Sequence, residues 1–254
     1  MDTAHITALL EPFLETPLSA PQLDQISIYI DLLLRWNARI NLTAIRQEEE
    51  IVTRHFGESV FMARHLFPTI SDRCHPERSQ DMSEAQVSAA SKDPSPSTTV
   101  GAPSYREAKG GPPHVLDIGS GAGFPAFPVK IWAPHIHLTL IESNHKKAVF
   151  LREVARALTL TNINVITDRT ETLIARPDFP RAAVVTLRAV ERFEKILPQA
   201  VTFLAPRGRL ALLVGAAQIP NASTLTGLKW QAKLDIPQSH SRALLVGYDV
   251  ISGK

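Results

Sequence analysis

The sequence predicts an α/β fold, a mostly parallel sheet joined to an N-terminal helical segment. Three observations predict it. Residues 114–254 alternate strand-like with helix-like stretches, which implies right-handed crossovers and parallel pairing. Residues 1–70 carry apolar side chains at helical spacing. A glycine-rich turn, Gly119-Ser120-Gly121-Ala122-Gly123, follows the first strand candidate, where open α/β sheets receive ligands.

In residues 1–70, "LDQISIYIDLLLRWNARINL" sets Leu23, Ile26, Ile30, Leu33 and Leu34 on one helical face. Ser19 is a candidate N-cap and Pro21 suits the first turn. Trp36 is expected in the core rather than as a stacking platform for bases. Asn41 and Thr43 are expected to organise the following turn by side-chain to backbone bonds. A second pattern, "EEEIVTRHFGESVFMARHLF", predicts one or two further helices. Its acidic start matches the favourable end of a helix dipole.

Residues 71–113 contain no Leu, Ile, Phe or Trp and are dense in Ser and Pro. Such a stretch buries too little apolar surface to offset the entropy of ordering. Disorder is the expectation, with a regulatory or partner-binding loop as the alternative. The chain therefore divides into a helical segment (1–70), an insertion (71–113) and an α/β domain (114–254).

In the α/β domain the strand candidates are "HVLDIG", "HLTLIES", "INVITD", "AAVVTL", "RLALLVG", "LKWQAKLDIP" and "RALLVGYDVI". No helix separates the last two, so a terminal hairpin with one antiparallel strand is expected. "NHKKAVFLREVARAL" and "VERFEKILPQAVTFL" read as helices.

The net charge of +2 over 254 residues conceals an uneven distribution. The three segments carry −4, −1 and +7 in order. A basic α/β domain suits an anionic partner such as RNA, although solvated charge is an alternative. An apolar share of 44% suits a protein with a packed core. No apolar run is long enough to span a membrane, and the N-terminus lacks the pattern of a signal peptide. Cys74 is the only cysteine, which excludes an intramolecular disulfide, fits a cytosolic location and leaves no metal-ligand spacing.

The turn reads G-x-G-x-G, with Phe124 where a dinucleotide fingerprint has its third glycine. Pro125 and Pro128 follow and remove N–H donors that a pyrophosphate would use. S-adenosylmethionine, which has no phosphate, fits better. A tight turn with no ligand is the alternative. Glu142 ends the second strand candidate, where a carboxylate can accept bonds from ribose hydroxyls. It could instead cap the next helix near Ser143 or Asn144. Asp117 could face a cationic end of the cofactor or order the turn.

"LLLRWNARINLTAI", "RHFGESV", "VLDIGSGAGFPAFPVKI", "LTLIESNHKKAVFLREV" and "TLRAV" occur in this order. Together they resemble the RsmG family, also called GidB, the ribosomal small-subunit methyltransferases G. The resemblance implies a class I S-adenosylmethionine-dependent methyltransferase, with a Rossmann-like seven-stranded sheet and an N-terminal helical extension. It implies methyl transfer to N7 of a guanine in 16S ribosomal RNA. Separately from the resemblance, a monomer without a metal is the expectation. It places cofactor contacts on Gly119, Phe124, Thr170, Glu171 and Arg188, the adenine lying near Thr170 and Glu171. This chain departs from the family at Glu58, where Asp is usual, and at Val214, where Lys is common.

Guanine N7 carries a lone pair and no proton, so no general base is expected, and His55 and His65 are read as packed or surface residues. Lys146, Lys147, Arg152 and Arg192 follow cofactor-side strands and are candidate contacts to rRNA or the small subunit. Solvated helix surface is the alternative for each. A class I methyltransferase acting on a small molecule or protein, and a non-catalytic RNA-binding protein, are the competing functions.

Overall fold

The computed structural model describes residues 1–68, 111–188 and 193–250. The disorder expected for 71–113 lies outside the described residues, except at 111–113. There, the Pro113 carbonyl accepts the His137 N–H at 2.9 Å.

Helix α1 (Thr3–Leu10) starts at Asp2, whose carboxylate accepts the His5 N–H at 2.9 Å. Helix α2 (Ala20–Ile40) has Ser19 at its N-cap and Pro21 in its first turn, and the Ser19 N–H donates to Gln22 Oε1 at 2.9 Å. Ile26, Ile30 and Leu33 are fully buried, each contributing about 1.5–3 kcal/mol of burial. Leu23 and Leu34 are only partly buried, while Tyr29 and Asn37 point inward. The buried stripe is broader than the apolar spacing suggested because α2 packs on several helices at once.

Helix α3 (Glu48–Glu50) continues as a π-helical stretch, Ile51–Gly57, and then as α4 (Glu58–Leu66). Wide π turns recur at functional sites because the extra residue re-aims side chains. Here the stretch contains His55.

Strands β1 (His114–Ile118), β2 (His137–Ile141), β3 (Ile163–Ile166), β4 (Ala182–Arg188) and β5 (Leu204–Gly215) are parallel. Helices α5 (Ala126–Trp132), α6 (His145–Ala157), α7 (Thr170–Ile174) and α8 (Phe193–Thr202) connect them in turn. Helix α9 (Ile219–Ser223) follows β5, and then come β6 (Leu228–Trp230), β7 (Leu234–Asp235) and β8 (Arg242–Asp249). The strand order is β3-β2-β1-β4-β5-β8-β6, with β7 also paired to β8.

The seven expected strands become eight because the stretch 228–237 is split. β6 and β7 pair antiparallel with different parts of β8, on the side away from β5, so they share the seventh position. Gln231, Ala232 and Lys233 leave the pleat between them, as an edge strand can do without breaking the sheet.

Successive strand residues feed opposite cores. Val115, Val184 and Ala211 join the core with α1, α2, α4, α5 and α6, whereas Leu116, Val185 and Leu212 join the one with α7 and α8. The helical extension therefore packs on the α5/α6 face. Polar ties hold it there: Gln22 Nε2 donates to Ile131 O at 2.9 Å, and Trp132 Nε1 donates to Phe67 O at 2.8 Å. Trp36 packs against Phe150 of α6 at 5.7 Å between ring centres, as a core residue would.

Candidate active site

Strand order reverses between β1 and β4, so a crevice opens beyond their carboxyl ends. A cavity of about 710 Å³ occupies it, within the range of small-molecule sites. Gly119, Phe124, Glu142, Thr170, Glu171 and Arg188 all line it. They come from four places along the chain, the glycine turn and the ends of β2, β3 and β4, and the topology brings them together. Leu42, Thr43, Arg54 and His55 of the helical extension complete one wall.

Gly119, Gly121 and Gly123 have φ of 68°, 56° and 85°, a region that side chains disfavour. At Gly123 a Cβ would overlap the Phe127 ring and the Tyr29 hydroxyl. The Tyr29 O–H, from α2, donates to Ala122 O, so the extension braces the turn. The Phe124–Pro125 peptide is cis.

Glu142 is buried, with Oε2 accepting the Gly121 N–H at 2.8 Å and Oε1 accepting the Asn144 N–H at 2.7 Å. Asn144 is itself the N-cap of α6, accepting from Lys146 and Lys147 N–H. The cap of α6 is therefore Asn144 rather than Glu142, which holds the N–H of the cap residue and ties the glycine turn to α6. Each carboxylate oxygen retains acceptor capacity toward the cavity.

Phe124 stacks with Tyr29 (5.2 Å) and His55 (4.8 Å). Thr170 is buried at the first position of α7 and Glu171 beside it is exposed.

Arg188, at the end of β4, is buried in a polar network. Its NH2 donates to Arg54 O at 2.6 Å and to Glu58 Oε2 at 3.0 Å. NH1 donates to His55 Nδ1 at 2.9 Å. Its Nε–H has no acceptor among the described residues. Glu58 also pairs with Arg242 Nε at 3.1 Å, so one carboxylate serves two guanidinium groups. Burial pushes the Arg188 guanidinium down to about 10, opposed by Glu58, so it remains a cation at neutral pH. Glu58 fills the position where the resemblance led to Asp.

Burial, reinforced by the charges of Arg188, Arg54 and Arg242, pushes the His55 imidazole down to about 2. The ring is neutral. Arg188 can only donate, so Nδ1 accepts and the ring proton sits on Nε2, which faces Thr43 Oγ1 at 2.8 Å.

Asp117 is 1% exposed, and its Oδ1 accepts the Thr186 hydroxyl at 2.6 Å while Oδ2 has no partner among the described residues. Burial pushes its carboxyl up to about 6, against the lowering effect of the Thr186 and Ser120 hydrogen bonds.

Two expectations change. His55 lines the cavity rather than serving as mere packing, whereas His65 bonds Phe61 O at 2.7 Å outside it. Asn41 does not organise the turn through its side chain; it ends α2 with a left-handed backbone, φ 48°. Asn37, one turn earlier, does the bracketing. Its Nδ2 donates to Thr43 O at 3.0 Å and its Oδ1 accepts the Thr43 N–H at 2.9 Å. Asn37 reaches Thr43 because it lies on the inner face of α2, which Asn41 has left.

The basic candidates separate. Lys147 is half-buried and lines the cavity, and Lys146 is exposed beside it. Arg152 donates to Val165 O at 2.9 Å and Thr167 Oγ1 at 2.8 Å, fastening α6 to the end of β3. Arg192 lies outside the described residues. Val214 is buried, and across the sheet Arg242 stands opposite Gly215 and supplies a cation to the cavity wall. Among the described residues no helix is long and apolar enough to cross a membrane, and no three metal-ligating side chains cluster.

A family model described as rRNA small subunit methyltransferase G matches residues 22–72 and 100–235. The chain is 29% identical over 201 residues to the ribosomal RNA small subunit methyltransferase G of Bacillus subtilis, covering 79% of this chain and 67% of that protein. It is 35% identical over 198 residues to the Chloroflexus aggregans protein of the same name, covering 76% and 64%. For the Chromobacterium violaceum protein of that name the values are 30% over 198 residues, 78% and 73%. The matched stretch thus spans about two thirds of the length of these relatives.

Proposed function

The chain belongs to the rRNA small subunit methyltransferase G family, and from that premise we propose that it transfers a methyl group from S-adenosylmethionine to N7 of a guanine in 16S ribosomal RNA. The observation that carries the cofactor reading is the junction of the glycine turn with Glu142 at the switch point. The start of α5 is a poor phosphate cradle. Pro125 and Pro128 have no N–H, and the Phe127 N–H already donates to Gly123 O at 2.9 Å. A carboxylate above β2 and an amide-poor helix entrance fit a ribose whose cofactor carries no phosphate.

On this reading Glu142 holds the ribose hydroxyls, and Thr170 and Glu171 border the adenine. Phe124 packs on the cofactor. The Arg188 Nε–H, lacking an acceptor among the described residues, bonds an anionic group such as the methionine carboxylate. The cofactor supplies a methyl group already activated on a sulfonium. The residues contribute position and electrostatics. Guanine N7 has no proton to lose, and the His55 Nδ1 lone pair is already taken by Arg188, so no residue acts as a base. Lys146 and Lys147 lie where RNA phosphate would pass the cavity.

The test is labelled methyl transfer to small ribosomal subunits followed by nucleoside analysis. The label is expected in 7-methylguanosine. Cofactor binding without any labelled nucleoside would shift the reading toward a small-molecule or protein substrate.

The family model leaves residues 73–99 unmatched, which supports reading them as an insertion between the helical segment and the methyltransferase domain. Replacing 73–99 by a short Gly/Ser linker is expected to leave cofactor affinity within about twofold, since loop length weighs only logarithmically. Calorimetry checks this, and a loss of tenfold or more would make the stretch part of the site.

A further inference from the structure

We propose that His55 is a positioning residue that fixes the Arg188 guanidinium for ligand binding, so that the helical extension completes the cofactor site. The inference rests on the methyltransferase reading and adds to it a chain of contacts from α2 to β4. Asn37 clamps the Thr43 peptide by two hydrogen bonds, at 3.0 and 2.9 Å. Thr43 Oγ1 faces the His55 Nε2–H at 2.8 Å, and His55 Nδ1 accepts from Arg188 at 2.9 Å.

Each link sets the next. The Thr43 hydroxyl also accepts the Ile45 N–H at 3.2 Å, so it is fixed in place to receive a ring proton. With that proton on Nε2, the other nitrogen presents a lone pair to the guanidinium. The opposite tautomer would set two N–H groups against each other in a buried site, a costly arrangement. The neutral ring matters as well, because a protonated imidazole would repel Arg188. The ring also stacks on Phe124, 4.8 Å between centres, so one side chain touches both Arg188 and Phe124.

Arg188 cannot be held in this orientation by Glu58 alone, because Glu58 and Arg54 O both engage NH2. A guanidinium anchored at one nitrogen can still pivot. The His55 contact at NH1 removes that freedom and leaves an Nε–H that has no acceptor among the described residues. Preorganised donors bind their target more tightly than mobile ones.

The test uses the full chain and three variants, His55→Ala, His55→Asn and Thr43→Val, with S-adenosylmethionine in calorimetry and thermal unfolding as a check on folding. His55→Ala is expected to weaken cofactor binding by about tenfold to a hundredfold, as for the loss of a charge-assisted bond. His55→Asn keeps an acceptor near the Nδ1 position and should recover most of that loss. Thr43→Val removes the tautomer-setting acceptor and is expected to weaken binding by about threefold to tenfold, and it answers the question if His55→Ala does not fold. Nitrogen-15 NMR of the cofactor-free wild type should show the His55 proton on Nε2. Wild-type affinity in His55→Ala, or in Thr43→Val where His55→Ala does not fold, overturns the proposal, as does a proton found on Nδ1. No cofactor binding by the wild type, with the proton found on Nε2, sinks the methyltransferase reading and keeps the His55–Arg188 contact.

Discussion

Replacing Glu58 by Ala is expected to cost about 3–5 kcal/mol of folding stability, the usual price of leaving buried charge without its partner. Glu58 is 2% exposed and lies 3.0 Å from Arg188 NH2 and 3.1 Å from Arg242 Nε. Without it, the buried Arg188 and the 20% exposed Arg242 lose the carboxylate between them and repel each other. Arg54 cannot replace it, since Arg54 is itself a cation and pairs with Glu50 at 2.8 Å. Glu58→Gln keeps an acceptor but no charge and should fall between alanine and wild type. Glu58→Asp restores the charge one methylene short, reaches at most one arginine well, and should lose about 1 kcal/mol, comparable to one hydrogen bond. Urea unfolding at pH 7 measures the series. The loss should persist in high salt because the pair is buried. An alanine variant within about 0.5 kcal/mol of wild type, the range of ordinary surface changes, would mean that the two arginines find other partners.

The parts of this site that were legible in the sequence are those set by local chemistry. The glycine turn announces itself because positive φ and close packing leave few residue choices, as the overlap at Gly123 shows. The place of Glu142 was legible from its position at a strand end, whereas its bonds to the Gly121 and Asn144 N–H groups were not, because the capping of α6 falls to Asn144. The parts that were not legible depend on chain closure. Tyr29 reads as one more residue on an amphipathic helix, yet its hydroxyl meets Ala122 O, 93 residues away. His55 reads as an isolated histidine until β4 delivers Arg188 to it. Asn37 and Asn41 look equivalent in "NARINLT", and only the burial of one face of α2 separates the clamp from the cap. The split of the expected strand at 228–237 was equally hidden, since only its edge position lets Ala232 and Lys233 leave the pairing while the Gln231 N–H still donates to Val246 O.

The last expected result concerns Asp117. Its carboxyl is pushed up from 3.8 to about 6, chiefly by burial. The folded protein therefore holds this proton more tightly than the unfolded chain does. Above about pH 6 the carboxylate is charged in both states and the native state bears the full burial penalty. As pH falls from 6 toward 3.8 the native state takes up the proton first and the penalty is relieved. Two pKa units correspond to roughly 3 kcal/mol. Asp117→Asn removes the titration, so its stability relative to wild type should shift in its favour by roughly 2.4 kcal/mol between pH 4 and pH 8. Denaturant unfolding of both proteins at each pH gives that difference, and other titrating groups cancel in it. A difference that stays flat with pH would show that Asp117 is solvated or paired. The same variant should bind S-adenosylmethionine more weakly at pH 8. A buried carboxylate whose Oδ2 has no partner among the described residues is a standing cost to the fold, and a cationic ligand beside the glycine turn gives it a use. Unchanged affinity would instead confine Asp117 to ordering the turn through its bond to Thr186 and the contact of its carbonyl with Ser120.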